Sequence, residues 1–404
     1  MNASDIEWLR SAPGVEVLAS ARALLDGGAS ELAASRQLRK QCSPEQARAA
    51  LSLLDGRRAA ASKFPDADRL FLDREAAEQA SPAEVARHTA ARLARTLEHG
   101  TRVADLGCGA GADALALAEH APVLAIDLDS ARLAMCAANA EARAAMSRIE
   151  TACADVTSWV APPGIGAAWL DPARRDDQGR RLDPEGWSPP LSAAIEIARR
   201  FPAAGIKLSP GIDVDVLPSD GEVEFISLGG RLIEAVLWLG AAAGEHEAAR
   251  ATVLPDGASM ARGRGEVEGF ADLRPPGAYL YDPDPSIGRA GLLRQLAADL
   301  GAWQLGAATA YLSSDEASAT PFARRFRVIE ARAFSERGAR EMAAGARSGR
   351  IEVMRRGAPV DTNALERRLN AGLPGGGPVH TLALTRVEGR ITAVLCVRER
   401  DPEG

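Results

Sequence analysis

Val103-Ala-Asp-Leu-Gly-Cys-Gly-Ala-Gly-Ala-Asp113, followed after a helical pattern by Pro122-Val-Leu-Ala-Ile-Asp127, decides how the fold of this chain is read. A short apolar run meets a glycine-rich turn, a helix pattern follows, and a second apolar run ends in an acid. That order is strand, loop, helix, strand. In a doubly wound α/β sheet such a unit brings a nucleotide-like ligand to the carboxyl edge of the strands. There the glycines let the backbone approach the ligand, and the acid closing the second strand accepts ribose hydroxyls.

The glycine spacing separates two classes of ligand. A dinucleotide cradle needs G-x-G-x-x-G and a helix amino terminus free to take a pyrophosphate. Here Gly107, Gly109 and Gly111 follow Asp105, and Ala112 and Asp113 stand where the third glycine would fall. Two carboxylates repel a phosphate. They favour a ligand with a cationic amino acid part and an adenosine part, which describes S-adenosyl-L-methionine (SAM). Further acids follow at the ends of apolar runs: Asp127, Asp155 after residues 148–154, and Asp171 after residues 167–170. Each alone is also explained as a cap or turn residue. Four in succession point to one ligand-binding sheet edge.

With these motifs the chain resembles the class I SAM-dependent methyltransferases: DLGCGAG at 105–111, AIDLD at 125–129, CADV at 153–156 and DPAR at 171–174 match their first four motifs. The resemblance extends to a bacterial group with a DPARR fourth motif and a THUMP-like carboxyl-terminal domain, through KLSPG at 207–211, SLGGRLIEAVLW at 227–238, YLYDPDPSIGRAG at 279–291 and IEVMRRG at 351–357. Residues 75–88 are similar to the lead-in of cap-type guanine methyltransferases. The resemblance implies an α/β Rossmann-like seven-stranded sheet, and SAM held by Gln79, Asp105, Gly107, Gly109, Gly111, Asp113, Asp127, Leu128, Asp155 and Val156. A THUMP-like ending implies structured RNA as partner.

Length and composition agree with this. A chain of 404 residues exceeds one ordinary core. The expected division is a helical domain at 1–62, a methyltransferase domain at 63–240, a ferredoxin-like α+β module at 241–335 and a THUMP-like domain at 336–404. In the first segment, apolar spacing predicts helices over 16–25, 30–41 and 44–54, with Ser43 capping the third before Pro44. Ser81 is expected to cap a helix over 82–97, and residues 222–239 read as a hairpin about Gly229-Gly230. Residues 241–275 read as a connection with a short strand at 251–254. A helix from Ser286 to about 300, strands at 303–311 and 322–332, and a strand, helix, strand, strand pattern from 350 to 398 complete the reading.

No run of 18 apolar residues suggests a membrane span, and no secretory signal is visible. Cys42, Cys108, Cys136, Cys153 and Cys396 lack C-x-x-C spacing, so a reducing, cytoplasmic setting is expected. The five histidines show no ligand spacing, and no metal is expected. The net charge of −7 is unevenly spread: residues 321–404 hold 16 arginines against 10 acids. A basic ending on an acidic body suits delivery of a phosphate backbone, although a solvated surface explains it too.

The chemistry is expected at Asp171-Pro-Ala-Arg-Arg175. Methyltransferases acting on exocyclic amines place an acid or amide, then Pro-Pro and an aromatic residue, about the nitrogen. Asp171 and the Pro172 carbonyl would accept its hydrogens here. Arg174 stands where the aromatic belongs, and either its guanidinium plane or Trp187 would have to supply the stacking face. Lys207, before Ser209-Pro-Gly211, points to the same edge and either contacts substrate or neutralises the acids. No cysteine lies in the catalytic loops to serve as nucleophile. The expected activity is methylation of a base nitrogen in RNA. The alternatives are a protein or small-molecule methyltransferase, and a SAM-binding scaffold without turnover.

Overall fold

The computed structural model of the chain describes residues 1–173, 175–176, 179–180, 183–266, 269, 272–307 and 309–399; of 175–176 and 179–180 only the backbone is described. Two compact units divide it, Met1–Val223 with Ile233–Glu245, and Glu224–Leu232 with His246–Gly404.

The first unit opens with helices α1 (Ala3–Arg10), α2 (Ala12–Asp26), α3 (Glu31–Leu38) and α4 (Pro44–Ala60). Each begins where a short polar side chain satisfies the free amides of a first turn. Asn2 and Ser43 form capping boxes with Asp5 and Gln46, and Ser11 and Ser30 cap α2 and α3. These helices do not pack alone. Ile6, Ala60 and Phe64 share a core with Leu72, Ala76, Ala110, Met135 and Ala138. Helices α5 (Arg74–Gln79) and α6 (Ala83–Ala94) follow. Pro82, not Ser81, occupies the N-cap of α6 and makes no side-chain cap. The expected role of Ser81 is therefore corrected: its hydroxyl is engaged elsewhere.

From Arg102 strand and helix alternate: β1 (Arg102–Leu106), α7 (Ala112–Ala118), β2 (Val123–Asp127), α8 (Ser130–Ala142), β3 (Ile149–Cys153), β4 (Ile165–Leu170), α9 (Leu191–Ala198) and β5 (Ala203–Leu208). Strands β6 (Glu222–Leu228) and β7 (Arg231–Gly240) form the expected hairpin. The order is β3-β2-β1-β4-β5-β7-β6. All neighbours from β3 to β5 run parallel, and β7 is antiparallel to β5. Because the chain leaves β1 toward β2 on one side and returns to β4 on the other, the crevice at their carboxyl ends is the switch point where such sheets bind ligands.

Two tryptophans fill the centre of this sheet. Trp169 of β4 and Trp238 of β7 are both buried and their ring centroids lie 5.8 Å apart, and between them runs Gly205 of β5. A Cβ at Gly205 would come within 2.7 Å of the Trp169 ring and 2.8 Å of Trp238. Gly205→Ala is thus expected to destabilise the protein by about 1–3 kcal/mol through overpacking, measurable as a lowered midpoint in urea unfolding.

In the second unit β8 (Glu247–Leu254) and β9 (Ala258–Gly263) continue from β6, so this strand ladder has nine members, not the expected seven. Residues read as a connection thus form a hairpin, turned at Gly257 with φ +73°. The remaining elements are β10 (Tyr279–Pro283), α10 (Pro285–Arg289), α11 (Leu293–Leu300), β11 (Trp303–Gln304), β12 (Leu312–Ser314), β13 (Ala323–Ala333), α12 (Glu336–Gly345), β14 (Arg350–Arg355), α13 (Thr362–Asn370), β15 (Val379–Val387) and β16 (Arg390–Arg398). The single helix expected from Ser286 is two, capped at Asp284 and interrupted at Gly291, where φ is +67°. The strand expected over 303–311 shrinks to Trp303–Gln304. Seven strands in the order β11-β12-β10-β13-β16-β15-β14 form one sheet, so residues on both sides of 335 share it.

Candidate active site

The registers align the strand ends: Asp105 lies opposite Trp169, Leu106 opposite Leu170, and Leu170 opposite Ile206. Gly107, Asp127, Asp171 and Lys207 therefore meet at one edge of the first unit. The loop after β1 turns through Gly107, Gly109 and Gly111 at φ +85°, +52° and +86°. Such angles strain any residue with a Cβ. At Gly107 space also forbids one, since a Cβ would lie 2.9 Å from the Asp171 carbonyl oxygen. The two loops that form the edge thus touch through a glycine.

Asp127 steadies the turn. Its Oδ2 accepts the Gly109 N–H at 2.8 Å and its Oδ1 the Asp129 N–H at 2.9 Å. Each oxygen keeps a lone pair for a further donor. Beside it Leu128 is 70% exposed, a bare apolar surface at the sheet edge. Asp155 is not at a strand end: β3 stops at Cys153, and the carboxylate accepts the Thr157 hydroxyl at 2.7 Å and its N–H at 2.9 Å. These bonds hold it below the usual carboxylate range. Val156 is half-buried, and Gln79, at the exposed end of α5, donates to Glu75 Oε1 at 3.1 Å.

Asp105 differs from the expectation of an acid facing the ligand. It is fully buried within β1 and neither oxygen accepts a hydrogen bond. Burial first, then the neighbouring Asp113, drives its carboxyl well above the usual range. Asp113, in the first turn of α7, leaves Oδ1 buried and unpartnered, while its Oδ2 receives Lys207 Nζ at 3.4 Å. Lys207 Nζ lies 2.8 Å from Asp171 Oδ2. Burial opposes the lysine's charge, but Asp113, Asp171 and Glu234 outweigh it and raise the ammonium above the ordinary lysine range. With 2% exposure, Lys207 is buried among these carboxylates.

Asp171 presents the one open acceptor of this group. Its side chain is 26% exposed, and Oδ1 has no partner among the described residues. Pro172 is buried behind it, and the chain then bridges Ala173 to Ser188. Arg174 lies outside the described residues. Trp187 is only 4% exposed and is not an open stacking platform.

Glu234 was not singled out from the sequence. It is buried in β7, accepts the Ser81 hydroxyl at 2.7 Å on Oε2 and has no partner on Oε1. Burial pushes its carboxyl up to about 7 against the pull of Lys207. A lone acid inside the apolar run Leu232-Ile-Glu-Ala-Val-Leu-Trp-Leu239 was the available signal, because a buried strand rarely carries an unpaired charge.

A glycine cradle with no room for a Cβ, buried carboxylate oxygens without donors and an exposed leucine beside an acid suit a ligand that is cationic at one end and flat and apolar at the other. SAM fits that description. Among the described residues no cluster of acids, histidines and cysteines suits a metal ion, and no helix is long and apolar enough to cross a membrane.

Comparison with known proteins agrees. Residues 103–166 match the family described as a methyltransferase domain, 323–398 the family described as THUMP domain-like, and 2–60 a domain family of unknown function. Over 336 residues the chain is 36% identical to an uncharacterised S-adenosylmethionine-dependent methyltransferase of Mycobacterium tuberculosis, found in two strains; the match covers 81% of this chain and 88% of that protein. A crystal structure of a candidate methyltransferase from Porphyromonas gingivalis W83 shares the fold, with a TM-score of 0.70 at 20% identity over 95% of this chain and 98% of that one. This chain therefore belongs to the S-adenosylmethionine-dependent methyltransferases, and SAM is its cofactor.

Proposed function

We propose that the protein methylates a nitrogen of an RNA base, and that its carboxyl-terminal segment presents the RNA. The THUMP-like match over 323–398 carries the RNA half of this reading. The arginine excess adds less than its number suggests. Arg324 and Arg356 bind Asp282, Arg325 and Arg327 bind Glu399, Arg368 binds Glu336, and Arg355 donates to the Ala358 and Val360 carbonyls. Of these clusters only Arg367 has no partner among the described residues. Paired arginines still present positive edges to a phosphate, but part of their charge is neutralised.

The nitrogen half rests on Asp171. Bound SAM supplies a methyl group activated by its sulfonium. What the chain must add is orientation, worth several kcal/mol when the reacting atoms are held in line. Lys207 fixes Asp171 through Oδ2, which leaves Oδ1 to accept an amine hydrogen, and the Pro172 carbonyl is the proposed second acceptor. Gly107, Gly109, Gly111 and Asp127, with Leu128 and Val156 against the adenine, are the proposed cofactor cradle. Asp105, Asp113, Asp155 and Gln79 complete the proposed set, and Arg174 is assigned to stacking or phosphate. The DPARR group and the cap-type enzymes are proposed kin, and segments 1–62, 63–240, 241–335 and 336–404 the proposed modules.

Mass spectrometry of RNA nucleosides tests this directly. RNA from a deletion strain is expected to lack one methylated nucleoside that reappears when purified protein and SAM are added. Unchanged nucleosides, with label transferred instead to protein or to a small-molecule fraction, would replace RNA as the acceptor.

A further inference from the structure

One ammonium, Lys207, serves four carboxylates: Asp171 and Asp113 by contact, Glu234 and Asp105 through the surrounding field. Asp105, Asp113 and Glu234 are buried, and each has at least one oxygen with no donor. A buried carboxylate without counter-charge or donor sheds its charge by taking up a proton. The free protein therefore holds protons here.

The geometry separates the carriers. Asp105 accepts no bond, and Asp113, Asp171, Cys136 and Lys207 face it. Cys136 in turn neighbours Cys108, whose thiol is likewise pushed up. Burial and its acidic neighbours thus favour the protonated form of Asp105. Asp113 touches the lysine. Glu234 stands between these extremes: Ser81 supplies one donor, Lys207 attracts its anion, and Asp113 and Asp171 oppose it.

We propose that Glu234 carries an exchangeable proton in the free protein and gives it up to solvent when the positively charged cofactor is bound, so that SAM binding and Glu234 ionisation are one linked event. The inference rests on assigning the Gly107 to Gly111 edge to the cofactor. The Glu234 O–H bond breaks, its electron pair stays on the carboxylate, and the proton passes to buffer. The cation brought to the site then balances the new anion. Glu234 is thus a positioning residue, acting through the field on Lys207 and Asp171.

Isothermal titration calorimetry of the full chain with SAM, in phosphate and in Tris at pH 7, counts the protons. The two buffers are expected to give enthalpies differing by the equivalent of roughly half a proton released per SAM, and affinity should rise up to about tenfold from pH 6 to 7.5. Glu234→Gln should remove this share and flatten the affinity profile, and it subtracts any proton exchanged by the cofactor's own amino group. S-adenosylhomocysteine, without the sulfonium charge, should release less. Ser81→Ala, which keeps the acid but deletes its donor, should move the release to higher pH and covers a misfolded Gln variant. Equal heats in both buffers, or a buffer dependence unchanged by Glu234→Gln, would overturn the proposal. Absence of any binding heat would instead refute the assignment of the cofactor edge.

Discussion

Asp171→Ala is expected to lower kcat for methyl transfer by about 10²–10³-fold, the size seen when one preorganised polar contact to a reacting group is deleted. SAM affinity should change little. Oδ1 is the open acceptor at the sheet edge, and its partner oxygen is fixed on Lys207 at 2.8 Å. Removing the carboxylate takes away both the hold on the amine and the rigidity of that hold. Asp171→Asn should fall between wild type and Ala, since it keeps an acceptor but loses the ion pair. Transfer of labelled methyl to RNA from the deletion strain measures the rate, and calorimetry with SAM measures binding. A variant with full turnover would remove Asp171 from the chemistry, and one that loses SAM binding in proportion would reassign it to the cradle.

Lys207→Met is expected to cost about 3–5 kcal/mol of folding stability at pH 7.5, because deleting one partner of a buried ion pair leaves the others uncompensated. The loss should depend on pH in a definite direction. Burial already raises the Asp113 carboxyl above its ordinary value, and without the ammonium that opposes this rise it climbs further. The folded variant then binds more protons than the unfolded chain, and its stability falls as pH climbs through the carboxylate range. The gap to wild type should therefore narrow toward pH 5. Wild type carries a smaller version of the same slope through Glu234, whose value of about 7 exceeds the ordinary 4.5. Its contribution is lost between those two values and is constant above. Thermal melts without SAM from pH 5 to 8 would show this. A constant gap across that range would mean that Lys207 acts by packing and not by charge.

The alternation of strand and helix, the hairpin at Gly229-Gly230 and the cap at Ser43 were legible because each depends on neighbours in sequence. Helices α1 and α12 were missed for a matching reason: Asn2 and Ser335 cap them, but few apolar residues mark a buried face. That Gly107, Asp127, Asp171 and Lys207 fall at strand ends was legible, and their environments were not. Asp105 was expected to face a ligand. It lies in the field of Lys207, supplied four strands later, and no local pattern records that distance. The role of Ser81 failed likewise. It stands before a proline and a helix, the setting of a cap, yet its partner is on β7, 153 residues later. Arginine clusters read as free charge because their acids, Asp282, Glu336 and Glu399, are remote or lie across a strand.

The bond from Ser81 to Glu234 spans 153 residues. A chain growing at about 5–20 residues per second emits the lead-in roughly 10–30 s before its partner exists. Throughout that interval Lys63 can already hold the Ala77, Glu78 and Ala80 carbonyls, but the Ser81 hydroxyl lacks its acceptor. That bond thus closes only when β7 joins the first unit on the ribosome, and a truncation before residue 234 should leave the Ser81 hydroxyl without its buried acceptor while Lys63 still holds the neighbouring carbonyls.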